Sequence, residues 1–278
     1  MNSSGLLATN QIYRFYTFET YLREVAACGI KAIDLWAAAQ HLNVNHMAIY
    51  NLEEVKTLLE KYEIAVKSLT PEQSNPKPYN ISSTQESVRK NAVDYIENLM
   101  KVSNALHCGL ISLNSGWCFW DEPKEAGWEA MIKSLKELCS LASRYGLKLS
   151  IEALSKKSSL LVNSKEDLQR VIEEVGREEL GITIDTGTVT RNGDSIEDYF
   201  KMFQKRITYC HLTNYSSKVF GHLAWWDERG ELDSNEIISI FEKYCYEGYF
   251  ALEMTLSEYY LEPQNVYKRS LERLLKKY

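Results

Sequence analysis

Apolar positions along the chain fall into short β-branched or leucine-rich runs, each followed by a longer stretch in which they recur every three to four residues. This pattern predicts strands at Ile12–Phe18, Ile30–Trp36, Ile64–Thr70, Leu110–Ser115, Lys148–Leu154, Gly181–Thr186, Ile207–Thr213 and Tyr249–Thr255. A helix-sized segment lies between consecutive runs. Strand followed by helix throughout demands parallel strands, because a chain that crosses back through a helix re-enters the sheet in the same direction. Eight such units predict an α/β fold of the (β/α)8 barrel type. The length of 278 residues suits it, since such barrels commonly run to about 250 residues as one domain. No linker or shift in composition divides the chain, so a single domain over residues 1–278 is expected.

Helix punctuation agrees with this order. Ser82 with Gln85, Asp194 with Glu197 and Asp233 with Glu236 each place a capping side chain three residues before an acid or amide. Gly146, Gly176 and Gly248 each follow a helical pattern and precede the next strand, where a left-handed residue is expected to end the helix. Three loops after strands exceed what compact packing requires: Pro71–Ile81, Gly116–Pro123 and Asn214–Leu232. In a barrel these belong to the catalytic face, and loops of that length there are usually functional.

The last four strands end in the frames L-S-I-E-A, I-T-I-D-T, T-Y-C-H-L and F-A-L-E-M. Side chains alternate along a strand, so Glu152, Asp185, His211 and Glu253 all point inward, while Ile151, Ile184, Cys210 and Leu252 point to the helices. All four lie at the carboxyl ends of neighbouring strands, where barrel active sites are built. Any one of them alone would read as a strand-end charge paired with a basic neighbour. Three buried acids with one imidazole and no basic residue among them would repel unless a cation neutralised them, which points to one bound divalent metal ion. Oxygen donors with one imidazole suit Mn(II) best, with Mg(II), Co(II) or Zn(II) as alternatives.

Composition narrows the partners. Lys plus Arg number 32 against 38 Asp plus Glu, a net charge of −6 with no basic block, which disfavours a nucleic-acid partner. The first residues show no basic region followed by an apolar run, and no stretch approaches the ~20 apolar residues of a membrane span, so a cytoplasmic location is expected. The six cysteines are scattered, without C-x-x-C or disulfide-like spacing, and read as reduced thiols.

At these strand ends the sequence resembles the xylose isomerase-like barrel superfamily of sugar isomerases and epimerases, whose metal signature is the order Glu, Asp, His, Glu on strands five to eight. The segment Thr70–Asn80, the loop carrying His222 and the region Glu262–Leu274 look most like fructosamine (fructoselysine) 3-epimerases and, less closely, ketose 3-epimerases. Two positions depart from many relatives: Thr188 stands where a second histidine is common, and His211 is followed by Asn214 rather than Asp. The resemblance implies a sugar substrate, a homo-oligomer, and proton abstraction beside a carbonyl through an enediolate. Glu152 and Glu253 would be the catalytic base and acid as well as ligands, and His222 a substrate-binding residue. Glu72, Trp117 and Arg229 are candidate contacts to the distal part of the substrate, with His46 a lesser one. A metal-dependent lyase or dehydratase, of the 3-oxo-glycoside or dehydroshikimate type, shares the first proton abstraction and is the main alternative; a non-catalytic sugar-binding protein is a weaker one.

Overall fold

A computed structural model of the chain describes residues 5–73, 76 and 78–275. Eight parallel strands close into a barrel in sequence order. They are β1 (Leu6–Thr9), β2 (Ala32–Ala37), β3 (Ala65–Pro71), β4 (Leu110–Asn114), β5 (Lys148–Glu152), β6 (Leu180–Asp185), β7 (Ile207–His211) and β8 (Tyr249–Leu252). The barrel closes where Leu6 pairs with Phe250 and Ala8 with Leu252. The expected (β/α)8 architecture is therefore present.

The first strand differs from expectation. Residues Ile12–Phe18 do not form it: Gln11–Tyr13 is a single 3-10 turn, and helix α1 (Phe18–Ala27) follows, capped by Thr17 accepting from the Thr20 amide. The strand is instead Leu6–Thr9, every residue of which is buried. The aromatic content of residues 12–18 mimics β-propensity, but Tyr13 packs against Tyr16 and Tyr21 over the helix layer. A strand of four residues buried on both faces shows no alternation to read.

Helices α2 (Leu52–Lys61), α3 (Glu86–Ala105), α4 (Lys124–Tyr145), α5 (Lys165–Val175), α6 (Thr186–Arg191), α7 (Ile196–Phe203), α8 (Ser234–Lys243) and α9 (Pro263–Leu275) complete the outer layer. In α5, Leu168, Val171 and Val175 form the buried stripe, Ser164 accepts from the Asp167 amide at its start, and Gly176 at φ 62° ends it. Asp233 caps α8 as expected, accepting from the amides of Asn235 and Glu236, and Gly146 at φ 67° closes α4. Ser82 and Asp194 do not cap. Ser82 donates to Asn80 and the Trp117 carbonyl, and Asp194 takes the Lys165 ammonium at 2.7 Å, a charge-assisted contact stronger than a cap. Nor does Gly248 close α8; Cys245 adopts the left-handed conformation at φ 52°, and a Cβ at Gly248 would meet the Tyr246 ring.

Most of the apolar core lies between the strands and the helices. A smaller cluster, Leu7, Ala32, Leu110, Tyr209 and Ala251, fills the lower barrel interior. Polar contacts accompany it inside the barrel: Thr183 Oγ1 donates to Ser150 Oγ at 2.7 Å and lies 3.2 Å from Ser112 Oγ. The register shifts between Ile33 and Asp34 and between Ile182 and Thr183, irregularities that re-aim side chains beside a site.

Candidate metal centre

Glu152 ends β5, Asp185 ends β6, His211 ends β7, and Glu253 lies one residue beyond β8. Strand alternation turns the first three inward, and Glu253 meets them from just past the end of β8. His211 Nδ1 lies 3.0 Å from Glu152 Oε2 and 3.4 Å from Glu253 Oε2. A fifth residue joins them: His222 puts Nδ1 2.9 Å from Glu253 Oε2 and Nε2 3.5 Å from Asp185 Oδ2. Candidate donor atoms of Glu152, Asp185 and His211 lie within 4.8 Å of one another, as do those of Asp185, His222 and Glu253.

The long loop delivers His222. Asn214 pairs with Leu223 in an antiparallel bridge, and Asn214 Oδ1 accepts from the Leu232 amide, closing the loop at its base. The His222 amide donates to Thr255 Oγ1, and the Thr255 amide to the His222 carbonyl, so the histidine is tied to the chain just after Glu253. Asn214 thus acts here as a loop clamp. Thr188, in place of a second histidine, gives its amide to Asp185 Oδ1 at 2.7 Å, and Thr213 Oγ1 donates to the same oxygen at 2.9 Å. These bonds leave Asp185 Oδ2 facing the cluster.

The donor chemistry fits a divalent ion. Asp185 Oδ2, His211 Nε2, His222 Nδ1 and Glu253 Oε2 are buried and make no aligned hydrogen bond, although His222 and Glu253 are close enough to pair as ions. Buried polar atoms are normally satisfied, so the unsatisfied atoms of Asp185, His222 and Glu253, whose candidate donor atoms lie within 4.8 Å of one another, mark a place for a charged ligand, while His211 Nε2 faces Asp34. Among the described residues the only cationic partners of Glu152, Asp185 and Glu253 are the two imidazoles. Without metal, protons supply the balancing charge. Burial would lower the pKa of both histidines, but the charges of Glu253 and Glu152 push His211 well up, and those of Asp185 and Glu253 push His222 up to about 9. Burial raises Glu152; it would raise Glu253 too, but His211 and His222 bring that carboxyl down to about 2.

A family model described as a xylose isomerase-like TIM barrel matches residues 22–278. The chain belongs to that family. It is 22% identical over 255 residues to fructoselysine 3-epimerase of Escherichia coli O157:H7, covering 92% of this chain and 91% of that protein. It is also 22% identical over 221 residues to D-psicose 3-epimerase of Ruminiclostridium cellulolyticum, covering 77% and 73%. Among solved structures, 3-keto-D-glucoside 4-epimerase from E. coli superposes with a TM-score of 0.79 at 17% identity, covering 97% of this chain and 98% of that one.

The mouth of this xylose isomerase-like barrel is a cavity of about 560 Å³ whose wall includes Glu152, Glu253, His222, Thr188 and Trp36. Glu72, Trp117 and Arg229 do not line it. Arg229 is held by Asp227 and Glu258, the Trp117 ring packs edge-on against Phe119, and the Glu72 amide donates to Tyr95. His46 stands beside Tyr79, also away from the cavity wall, and His41 is buried against Asn10 and the Tyr16 carbonyl. Residues 74, 75 and 77 of the loop after β3 lie outside the described residues.

Two residues of the site escape sequence reasoning. Gln11 donates to Glu253 Oε1, a contact hidden by the misplacement of β1. Asp34 on β2 lies 3.7 Å from His211 Nε2 and accepts from Thr70 Oγ1 at 2.9 Å and from Tyr209 at 2.8 Å. An Asp inside the apolar run A-I-D-L-W was the available signal, because a carboxylate there needs a buried partner.

Proposed function

We propose that this chain is a divalent-metal-dependent epimerase acting on a ketose or fructosamine-type sugar. The observation that carries the reading is that Glu152 and Glu253 line one cavity from β5 and β8, which are not neighbours in the barrel. A substrate carbon between them presents one face to each carboxylate. One glutamate removes the proton beside the carbonyl, and the other returns a proton to the opposite face, so the centre inverts. Glu152, Asp185, His211 and Glu253 would hold the ion, Mn(II) being the expected one; when bound, it would acidify the C–H by polarising the carbonyl and the adjacent hydroxyl. Gln11 steadies Glu253 through Oε1, and the imidazole of His222 orients the same carboxylate and the substrate. The similarity to fructoselysine and D-psicose 3-epimerases supports the same chemistry.

Elimination would share the first proton removal and then expel a group. Mass spectrometry in heavy water separates the two: the product of an epimerase gains deuterium and loses nothing else. Glu152→Gln and Glu253→Gln keep an oxygen donor but no base, so each is expected to lower kcat by at least about 10²-fold at saturating Mn(II). A product lighter by a leaving group would reassign the reaction as a lyase. Either variant staying within about tenfold of the parent would take that glutamate out of the proton transfer.

A further inference from the structure

The cavity that is acidic at its floor is basic at its rim: Arg14, Lys157 and Arg191 all line it. Many cations elsewhere on this acidic chain meet carboxylates, as Lys165 meets Asp194 at 2.7 Å and Lys243 meets Glu197 at 2.6 Å. Among the described residues none of the three rim cations does so. Neutral groups hold them instead. Arg14 Nε donates to the Gln11 carbonyl at 3.1 Å, with its guanidinium 5.2 Å from the Trp36 ring centre and 5.0 Å from that of Tyr260. Arg191 Nη2 donates to the Val219 carbonyl at 3.0 Å, and its guanidinium lies 5.1 Å from the Phe220 ring. Lys157 Nζ lies 5.3 Å from that same ring.

One ring shared by two like charges concentrates positive potential on one side of the mouth. Contacts to carbonyls and π faces orient a cation without neutralising it, and two such cations side by side repel until an anion joins them. We propose that the substrate carries an anionic group, a phosphate or a carboxylate, remote from the reacting carbon, and that Lys157 and Arg191 bind it while Arg14 faces it across the cavity. The inference rests on the sugar reading of the site and narrows its substrate class. Arg191 is the positioned donor, because its carbonyl contacts fix the direction of the guanidinium. Lys157 acts as a point charge on a flexible stem.

The test is calorimetric binding to the full-length Mn(II)-loaded protein at low salt, with D-fructose, D-fructose 6-phosphate and N-fructosylglycine as probes. A hydrogen bond to a charged group contributes about 1.5–3 kcal/mol, so at least one anionic sugar should bind about tenfold to a hundredfold more tightly than D-fructose. Added salt should erode the preference, and whichever anionic sugar gains identifies phosphate or carboxylate. Lys157→Met and Arg191→Met should each reduce the preference about tenfold. Arg191 also braces the loop, so if its variant fails to fold, Lys157→Met decides. The proposal is overturned if neither anionic sugar outbinds D-fructose, or if the preference survives the substitutions. Deuterium exchange on the same samples tests the epimerase reading separately: an anion preference without exchange removes the epimerase and keeps the anion site, whereas exchange without preference does the reverse.

Discussion

Asp34 is 2% exposed and lies on the side of His211 away from Glu152 and Glu253. One of its oxygens, Oδ2, accepts from the hydroxyls of Thr70 and Tyr209 and also lies 3.7 Å from His211 Nε2. A carboxylate behind a ligating imidazole fixes ring orientation and raises its basicity, and losing such a partner typically costs about tenfold to a hundredfold in metal affinity. Asp34→Asn keeps the volume but turns an acceptor into a donor facing two donors. Mn(II) titration should therefore show a dissociation constant higher by about that factor, with the barrel still folded by circular dichroism. An unchanged constant would reduce Asp34 to a buried structural acid. Nothing local to A-I-D-L-W reveals His211 as its neighbour, since 177 positions separate their numbers and only barrel closure brings them together.

At the scale of the element, the segment between β7 and α8 brings His222 to Glu253 through the pairing with Thr255. Gly221, next to the histidine, has φ 127°, and a Cβ there would stand 2.6 Å from a Leu256 methyl. Gly221→Ala is expected to cost about 1–3 kcal/mol through backbone strain and to displace His222. The check is kcat/KM and Tm together: kcat/KM should fall at least about tenfold while Tm drops only a few degrees. Gly29→Ala is the control, for it shares a positive φ of 81° but has nothing within 4 Å of the added carbon and lies far from the loop in sequence. If both variants lose Tm and neither loses activity, the turn does not position the histidine. The loop's length and aromatic content were legible beforehand, and the resemblance pointed to His222 as a substrate contact; its contacts with Glu253 and Asp185 were not legible.

At the scale of the molecule, three carboxylates share the barrel mouth with two imidazoles, and the charge balance depends on pH. The folded pKa of His222, about 9, lies above its usual value of 6.5. Its charged form therefore stabilises the metal-free protein fully below pH 6.5, and that contribution disappears as pH rises through 9. Glu152, raised by burial, adds a loss in the same direction once it ionises. An ion held by Glu152, Asp185, His211 and Glu253 would offset the carboxylate charge in place of the His222 proton, so the loaded protein would lose less stability as pH rises. The Tm difference between Mn(II)-loaded and chelator-treated protein should therefore widen from pH 6.5 to pH 9, as scanning calorimetry can measure. A gap that stays constant or narrows would mean that His222 does not titrate against these carboxylates. The strand and helix order, and hence the barrel class, was readable from periodicity, because alternation and the 3.6-residue repeat are local properties of the backbone. The repeated strand-end frames likewise set Glu152, Asp185 and His211 on inward faces, since side-chain direction follows from position along a strand. Only the tertiary structure decided the position of β1, the contacts of Gln11 and Asp34 with the cluster, the entry of His222, and the basic rim. Those depend on closure between β1 and β8 and on loops whose conformations are set by long-range contacts, where fully buried strands and surface cations leave no periodic trace in the chain.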